Sequence, residues 1–255
     1  MKPNAKIVVY TTILGPYDGL LPQPKYEGID YVCFTDQKFR SKTWNIVPLK
    51  AKDLSPARTS RHPKIAPHLY LKDYDYSIYI DGNILLVRNP IPLLKKVISN
   101  APMGIFDHNQ CSDARDCVYK EHQAIVDLYH ESGVLKDNFE VMENHMKRYR
   151  DQGYPENNGL IAATIMLRNH HHPEVIKTME TWWEEFSNGS KRDQLSFNYA
   201  AWKNNFLPFI INGDVRNNPY FYMIGIHRKS YKSKYFRYRL KRFFGRITHP
   251  KPTVL

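Results

Sequence analysis

A chain of 255 residues and 30.1 kDa, 42% hydrophobic and 13% aromatic, carries enough apolar mass to bury a full core, which excludes a disordered or collagen-like polymer. A net charge of +12 would suggest nucleic acid if it were spread along the chain. It is concentrated instead: residues 228–255 hold ten of the 37 Lys and Arg and none of the 25 Asp and Glu, so the body before them is nearly neutral.

No apolar run approaches the roughly 18 to 20 residues of a membrane span, and Met1 to Lys6 lacks the apolar run of a secretory leader, so the expected compartment is the cytoplasm. Cys33, Cys111 and Cys117 are too few and too unevenly spaced for a disulfide framework and are expected to be reduced thiols.

In chain order, Ile7 to Thr12 is a β-branched run ending at a Gly-Pro turn, and Tyr31 to Asp36 repeats the form. Ser55-Pro56 supplies an N-cap and first-turn proline for a short helix carrying Arg58, Arg61 and Lys64, with Pro63 and Pro67 limiting its length. The clearest strand, Tyr76 to Ile80, stops at Asp81-Gly82-Asn83, and a second apolar run, Ile84 to Val87, follows. Met103 to Phe106 is a strand ending at Asp107-His108; Val118 to Tyr129 and Asn138 to Arg150 are helical. Asn157-Asn158-Gly159 opens the strand Leu160 to Leu167, and helices follow over Pro173 to Phe186 and Gln194 to Trp202. Strands alternating with helices predict an α/β fold with a mainly parallel central sheet flanked by helices. The division expected is one domain over residues 1–227 and a basic, aromatic C-terminal helical tail over 228–255.

Ligands of open α/β sheets bind beyond the carboxyl ends of the strands, which selects Thr11, Thr12, Asp36, Asp81, Asn83, Asp107 and His108. Asp81-Gly82-Asn83 could turn a carboxylate and an amide oxygen toward one hard cation; it could equally be the turn of a hairpin. Asp193 could cap the helix that follows it or do chemistry, and His227 could be structural or a ligand. His170-His171-His172 reads as a solvated loop, since consecutive side chains diverge. Arg58, Arg61 and Lys64 share a helical face that could meet phosphates or simply face water.

In combination these features resemble a GT-A nucleotide-sugar glycosyltransferase. The resemblance goes beyond the fold level, to the TOD1/MUCI70 glycosyltransferase-like family, formerly domain of unknown function 616. It rests on Tyr10-Thr11-Thr12-Ile13-Leu14-Gly15-Pro16-Tyr17-Asp18, Cys33-Phe34-Thr35-Asp36, Arg61 with Lys64, Tyr79-Ile80-Asp81-Gly82-Asn83, Arg115-Asp116-Cys117-Val118-Tyr119 with Glu121, Asn158-Gly159-Leu160 and Arg192-Asp193-Gln194-Leu195-Ser196-Phe197. The resemblance implies transfer of a sugar from a nucleoside-diphosphate sugar, a UDP-sugar first, to a hydroxyl of a glycan or glycolipid. It implies Mn²⁺ or Mg²⁺ at Asp81, Asn83 and His227, although Asn83 stands where GT-A enzymes keep a second Asp. Thr11, Thr12, Asp36, Arg61, Lys64 and Asp81 would surround the donor nucleotide. His108, Arg115, Glu121, Asn158 and Gly159 would meet the donor sugar or acceptor, and Asp193 with Gln194 would be catalytic, with the stereochemical outcome open.

The tail adds one expectation of its own. Phe236, Leu240, Phe243, Phe244 and Ile247 fall on one helical stripe among Arg237, Arg239, Lys241, Arg242 and Arg246, so the tail could attach the protein peripherally to the inner face of an anionic membrane. The rival functions are a membrane-lipid (ceramide-type) hydrolase, against which stands the lack of a Gly-x-Ser-x-Gly or His-Glu-x-x-His motif, and a nucleic-acid-binding protein using the tail. The neutral body argues against nucleic acid as partner.

Overall fold

A computed structural model describes residues 1–15, 18–50, 55–225 and 231–252. Strand β1 (Ile7–Ile13) is buried along its whole length and pairs in parallel with β2 (Ile29–Thr35) on one side and β4 (Tyr76–Ile80) on the other. The sheet extends through β3 (Asn45–Pro48), parallel to β2. Beyond β4 come β7 (Ile161–Arg168), β6 (Met103–Asp107) and β8 (Phe209–Ile211), giving the order β3-β2-β1-β4-β7-β6-β8. Only β7 runs against its neighbours. The α/β architecture with a mainly parallel central sheet is therefore as the alternation of apolar runs and helices predicts.

Helices cover both faces, and this explains why β1, β4 and β7 read as continuous apolar runs. On one face Val9, Ile78, Ile80 and Leu167 pack with Leu94 and Val97 of α2 (Ile91–Asn100). On the other, Val8, Tyr10, Tyr79 and Met166 pack with Ile65 of α1 (Pro56–Ile65), Met179 and Trp182 of α5 (Pro173–Asn188) and Phe197 of α6 (Gln194–Lys203). Helices α3 (Val118–Ser132) and α4 (Phe139–Asp151) add a third apolar cluster against Leu195 and Tyr199 of α6.

Several local expectations change. Strand β1 continues to Ile13, so Thr11 and Thr12 lie inside it, both buried. Asp81-Gly82-Asn83 is not a hairpin turn: β5 (Ile84–Leu86) leaves the main sheet and pairs with β9 (Phe221–Met223) in a separate antiparallel ribbon. Helix α1 passes through Pro63 before it stops. His170 is not solvated but fully buried, its Nε2 3.0 Å from the carbonyl of Leu71. The tail helix α7 (Tyr231–Phe243) ends before Phe244 and Ile247, so the stripe read from the sequence outruns it. No helix among the described residues is long and apolar enough to cross a membrane.

Candidate active site

Helix α1 starts as its sequence indicates, with the Ser55 hydroxyl accepting from the Arg58 amide and Pro56 in the first turn. Its three cations then separate. Arg58 turns to the end of α5, donating to the carbonyls of Phe186 and Gly189 at 2.8 and 3.0 Å. It is a helix cap and not a phosphate ligand. Arg61 and Lys64 point to the carboxyl edge of the sheet, where Lys64 Nζ stands 2.6 Å from Asp193 Oδ2 and 3.6 Å from Asp81 Oδ1. Arg61 Nε meets the same Asp193 oxygen at 3.0 Å.

Asp193 precedes α6 but makes no side-chain cap bond; its carboxylate is turned to the two cations instead. Burial alone would raise its pKa, yet Lys64 and then Arg61 outweigh burial and hold the carboxyl well below the ordinary range. Asp81 leaves β4 with its amide bonded to the Thr164 carbonyl of β7, and Tyr79 OH donates to Asp81 Oδ1 at 2.6 Å. Burial, and then Asp81 beside it, push the Tyr79 phenol well above its usual pKa, so the proton stays on tyrosine.

Asn83 is pinned from both ends. Its Nδ2 donates to the Gly225 carbonyl at 2.8 Å and its own carbonyl accepts from the Ile224 amide at 3.0 Å. Its Oδ1 is buried without a donor among the described residues. A carboxylate and a buried amide oxygen two residues apart are hard-oxygen donors, and they fit a divalent cation that draws its other ligands from phosphate and water. Among the described residues no group of three His, Cys, Asp or Glu is gathered for a metal. His227, the third expected ligand, lies outside the described residues.

The remaining donor-side expectations fall along the same edge. Continuing the β1–β4 register from Tyr10 opposite Tyr79 sets Thr12 level with Asp81. The buried hydroxyls of Thr11 and Thr12 have no partner among the described residues. Asp36 follows β2 and accepts from the Gly15 amide at 2.9 and 3.0 Å, holding the loop after β1.

A second charged cluster gathers His108, Arg115 and Glu121, all expected on the sugar or acceptor side. Arg115 Nε donates to Glu121 Oε2 at 2.6 Å, and its terminal nitrogen lies 3.3 Å from His108 Nε2 and 3.2 Å from Asp113 Oδ2. A guanidinium only donates, so His108 Nε2 is the acceptor and Nδ1 carries the proton, buried and without a partner among the described residues. Burial and then Arg115 lower the His108 pKa, which keeps the ring neutral. Arg192, next to Asp193, reaches Glu121 Oε1 at 3.7 Å and so links this cluster to the first.

Asn158 and Gly159 meet α6 through Asn198, whose Nδ2 donates to the Asn158 carbonyl and whose Oδ1 accepts from the Ile161 amide. Gly159 is required there, with φ +81° and a Cβ position 3.1 Å from Asn198 Nδ2. Gln194 is half-buried, its Nε2 without a partner among the described residues.

Sequence reasoning quoted Tyr79 and Arg192 within the family motifs but gave them no role, and it missed Asp113, Asn198 and Arg216, which holds Asp113 at 2.5 Å. Tyr79 was recoverable, because it shares a strand face with Asp81 two residues on. Arg216 and Asp113 come from loops far apart in sequence, and no spacing rule joins them.

The TOD1/MUCI70 glycosyltransferase-like domain model matches residues 30–212. The chain belongs to that family. The matched span contains α1, Asp81-Gly82-Asn83, the His108–Arg115–Glu121 cluster and Asp193, while α7 lies beyond it. This TOD1/MUCI70 domain is similar in fold to the apo structure of the bifunctional glycosyltransferase WbbM, with a TM-score of 0.52 at 10% identity over 94% of this chain and 46% of that one. Apo mouse xyloside xylosyltransferase 1 aligns with a TM-score of 0.43 at 13% identity over 84% and 87% of the two chains. No curated protein matches the sequence. The fold is GT-A-like, and membership of the family supports glycosyl transfer.

Proposed function

We propose that the protein moves a sugar from a nucleoside-diphosphate sugar, with a UDP-sugar as the first donor to test, to a hydroxyl of a glycan or glycolipid. The observation that carries this reading is the buried Lys64 ammonium shared by Asp81, at the end of β4, and Asp193, at the start of α6. Transfer breaks the bond from the anomeric carbon to the diphosphate oxygen, and the electron pair leaves on the diphosphate. Arg61 and Lys64 are placed to neutralise that charge, and cations in a buried site act more strongly than in water. A diphosphate beside Lys64 draws the ammonium from Asp193, whose basicity then rises.

In an inverting reaction Asp193 takes the acceptor proton; in a retaining one Asp193 and Gln194 hold the transferred sugar. His108 Nδ1–H is a buried donor ready for a sugar hydroxyl, and satisfying it favours a ligand that brings an oxygen there. Mn²⁺ or Mg²⁺, held by Asp81 and Asn83 with His227 completing the expected set, would add charge neutralisation at the diphosphate. Three free, buried cysteines suit a reducing, cytoplasmic setting.

The test is a panel of nucleoside-diphosphate sugars scored by thermal stabilisation and by release of nucleoside diphosphate, with and without Mn²⁺. One nucleotide should stabilise the protein, the effect should be lost in Lys64→Met, and nuclear magnetic resonance of the product should give the anomer. Absence of nucleotide binding together with fatty-acid release from a ceramide-type lipid would overturn the reading.

A further inference from the structure

Helix α7 has two unlike faces. Tyr231, Lys234, Tyr235 and Tyr238 are half-buried, and Tyr238 stacks on Tyr222 of β9 with ring centroids 5.0 Å apart. After Gly245 the chain turns back, and His249 lies 3.0 Å from Tyr238 OH and 3.1 Å from Asn217 Oδ1. Gly19 permits the start of the helix to close on the loop after β1, since a Cβ there would sit 2.0 Å from the Tyr231 ring. At about 3.6 residues per turn the opposite face carries Phe236, Leu240 and Phe243. These and Phe244 are exposed by 62%, 41%, 83% and 65%. The tyrosine face packs the helix on the body, and none of the described residues covers the phenylalanine face.

Cations border this stripe on both sides, Lys232 and Arg239 on one and Arg237 on the other. Along the Arg237 side a groove of about 200 Å³ is lined by Lys234, Arg237 and Lys241 with Tyr222, Tyr238 and Ile247, and no carboxylate among the described residues lines it. We propose that α7 docks on an anionic lipid bilayer, its phenylalanine stripe in the headgroup boundary and its cations against lipid phosphates.

The charge on the page selects this occupant. A second copy would bring ten like charges against ten, with no acidic residue in either tail to offset them. Single-stranded nucleic acid would take the cationic groove with its Tyr222 and Tyr238 rings, but a strand seated there leaves Phe236, Leu240 and Phe243 uncovered on the convex side of the helix, whereas a bilayer covers them. The helix also reaches the donor edge: Tyr231 and Lys234 line one small cavity with Gly82, Asn83 and Gly225. Docking therefore holds that edge about 10 Å, one helix diameter, from the lipid surface, within reach of a lipid-linked glycan as acceptor, a consequence that rests on the function proposed above, whereas docking itself does not.

The full-length protein should sediment at low salt with vesicles of phosphatidylglycerol and phosphatidylcholine and not with phosphatidylcholine alone. The double variant Phe236→Ser with Phe243→Ser should lose this binding, and Lys232→Gln with Arg239→Gln should weaken it on the order of 30-fold. Because the stripe is exposed, Phe236→Trp should fold normally, and its fluorescence should shift to shorter wavelength on anionic vesicles. Failure to bind anionic vesicles, binding indifferent to the phenylalanine variants, stronger retention by single-stranded RNA than by vesicles, or a dimer abolished by Phe236→Ser would each overturn docking. No nucleotide is present in these measurements, so their failure leaves the donor reading standing, and failure of the nucleotide panel leaves docking standing.

Discussion

Lys64 and Asp193 form a buried ion pair, Nζ to Oδ2 at 2.6 Å, with both side chains less than a tenth exposed. The lysine is aimed from behind. Its backbone carbonyl accepts from Arg168 at 2.9 Å and from Tyr10 OH at 3.3 Å, and Arg168, itself fully buried, also donates to Tyr10 OH. Strands β1 and β7 thus hold the last turn of α1, and the side chain leaving that turn spans the gap between β4 and α6.

Removing one member of a buried pair costs about 3–5 kcal/mol, because the other charge stays buried and uncompensated. Arg61 remains on Asp193, so Lys64→Met should cost near the lower end, about 3 kcal/mol in urea unfolding, and should abolish nucleotide stabilisation. Adding Asp193→Asn to Lys64→Met should restore part of the stability and none of the turnover. A double variant no more stable than Lys64→Met would show that the pair does not couple.

Asp193→Asn alone separates chemistry from binding. Loss of a general base or of a group holding the transferred sugar should lower turnover by about 10²-fold or more while the donor dissociation constant moves little. Single-turnover kinetics with isothermal titration of the donor measures both. A variant that loses donor affinity at unchanged turnover would assign Asp193 to the nucleotide.

Much of this was legible in the sequence and some was not, for physical reasons. Apolar runs buried on both faces mark a parallel sheet, and Asp81-Gly82-Asn83 at the end of such a run marks its ligand edge. The hairpin alternative at Asp81 could not be dismissed from a tripeptide, because the departure of β5 depends on its pairing with β9, about 140 residues on. Helical spacing put Arg58 with Arg61 and Lys64, but the open carbonyls ending α5 captured Arg58, a contact between elements that spacing does not encode. His170 looked solvated beside two other histidines, and only the nearby Leu71 carbonyl explains its burial.

Acid should unfold the protein in two stages. Burial holds the His170 pKa down at about 4 against an ordinary 6.5, so its contribution is complete above 6.5 and is lost as the pH falls from there toward 4. Burial alone would raise Glu185, but His145, 3.5 Å away, and the hydrogen-bonded Arg148 hold it at about 2 against 4.5. Its contribution is complete above 4.5 and disappears as the pH falls toward 2, on the order of 3 kcal/mol in all. Urea midpoints at falling pH should therefore decline first through the His170 range and then through the Glu185 range. Glu185→Gln should flatten the second decline; an unchanged slope there would remove Glu185 as its cause.

Asn83 gives a test of the metal that does not need activity. Its Nδ2 donates to the Gly225 carbonyl, so Asn83→Asp replaces a donor by a carboxylate oxygen facing a carbonyl oxygen. Without metal that variant should be less stable by about 1–3 kcal/mol, the cost of an unmet buried polar group. A divalent cation at Asp81 and residue 83 would offset the repulsion and gain a second carboxylate, so Mn²⁺ should raise the melting temperature of Asn83→Asp more than that of the natural protein. Thermal unfolding of both proteins with Mn²⁺, with Mg²⁺ and with a chelator measures the difference. Equal responses, with or without nucleoside diphosphate, would mean that no cation sits at residue 83 and that Arg61 and Lys64 alone neutralise the leaving diphosphate.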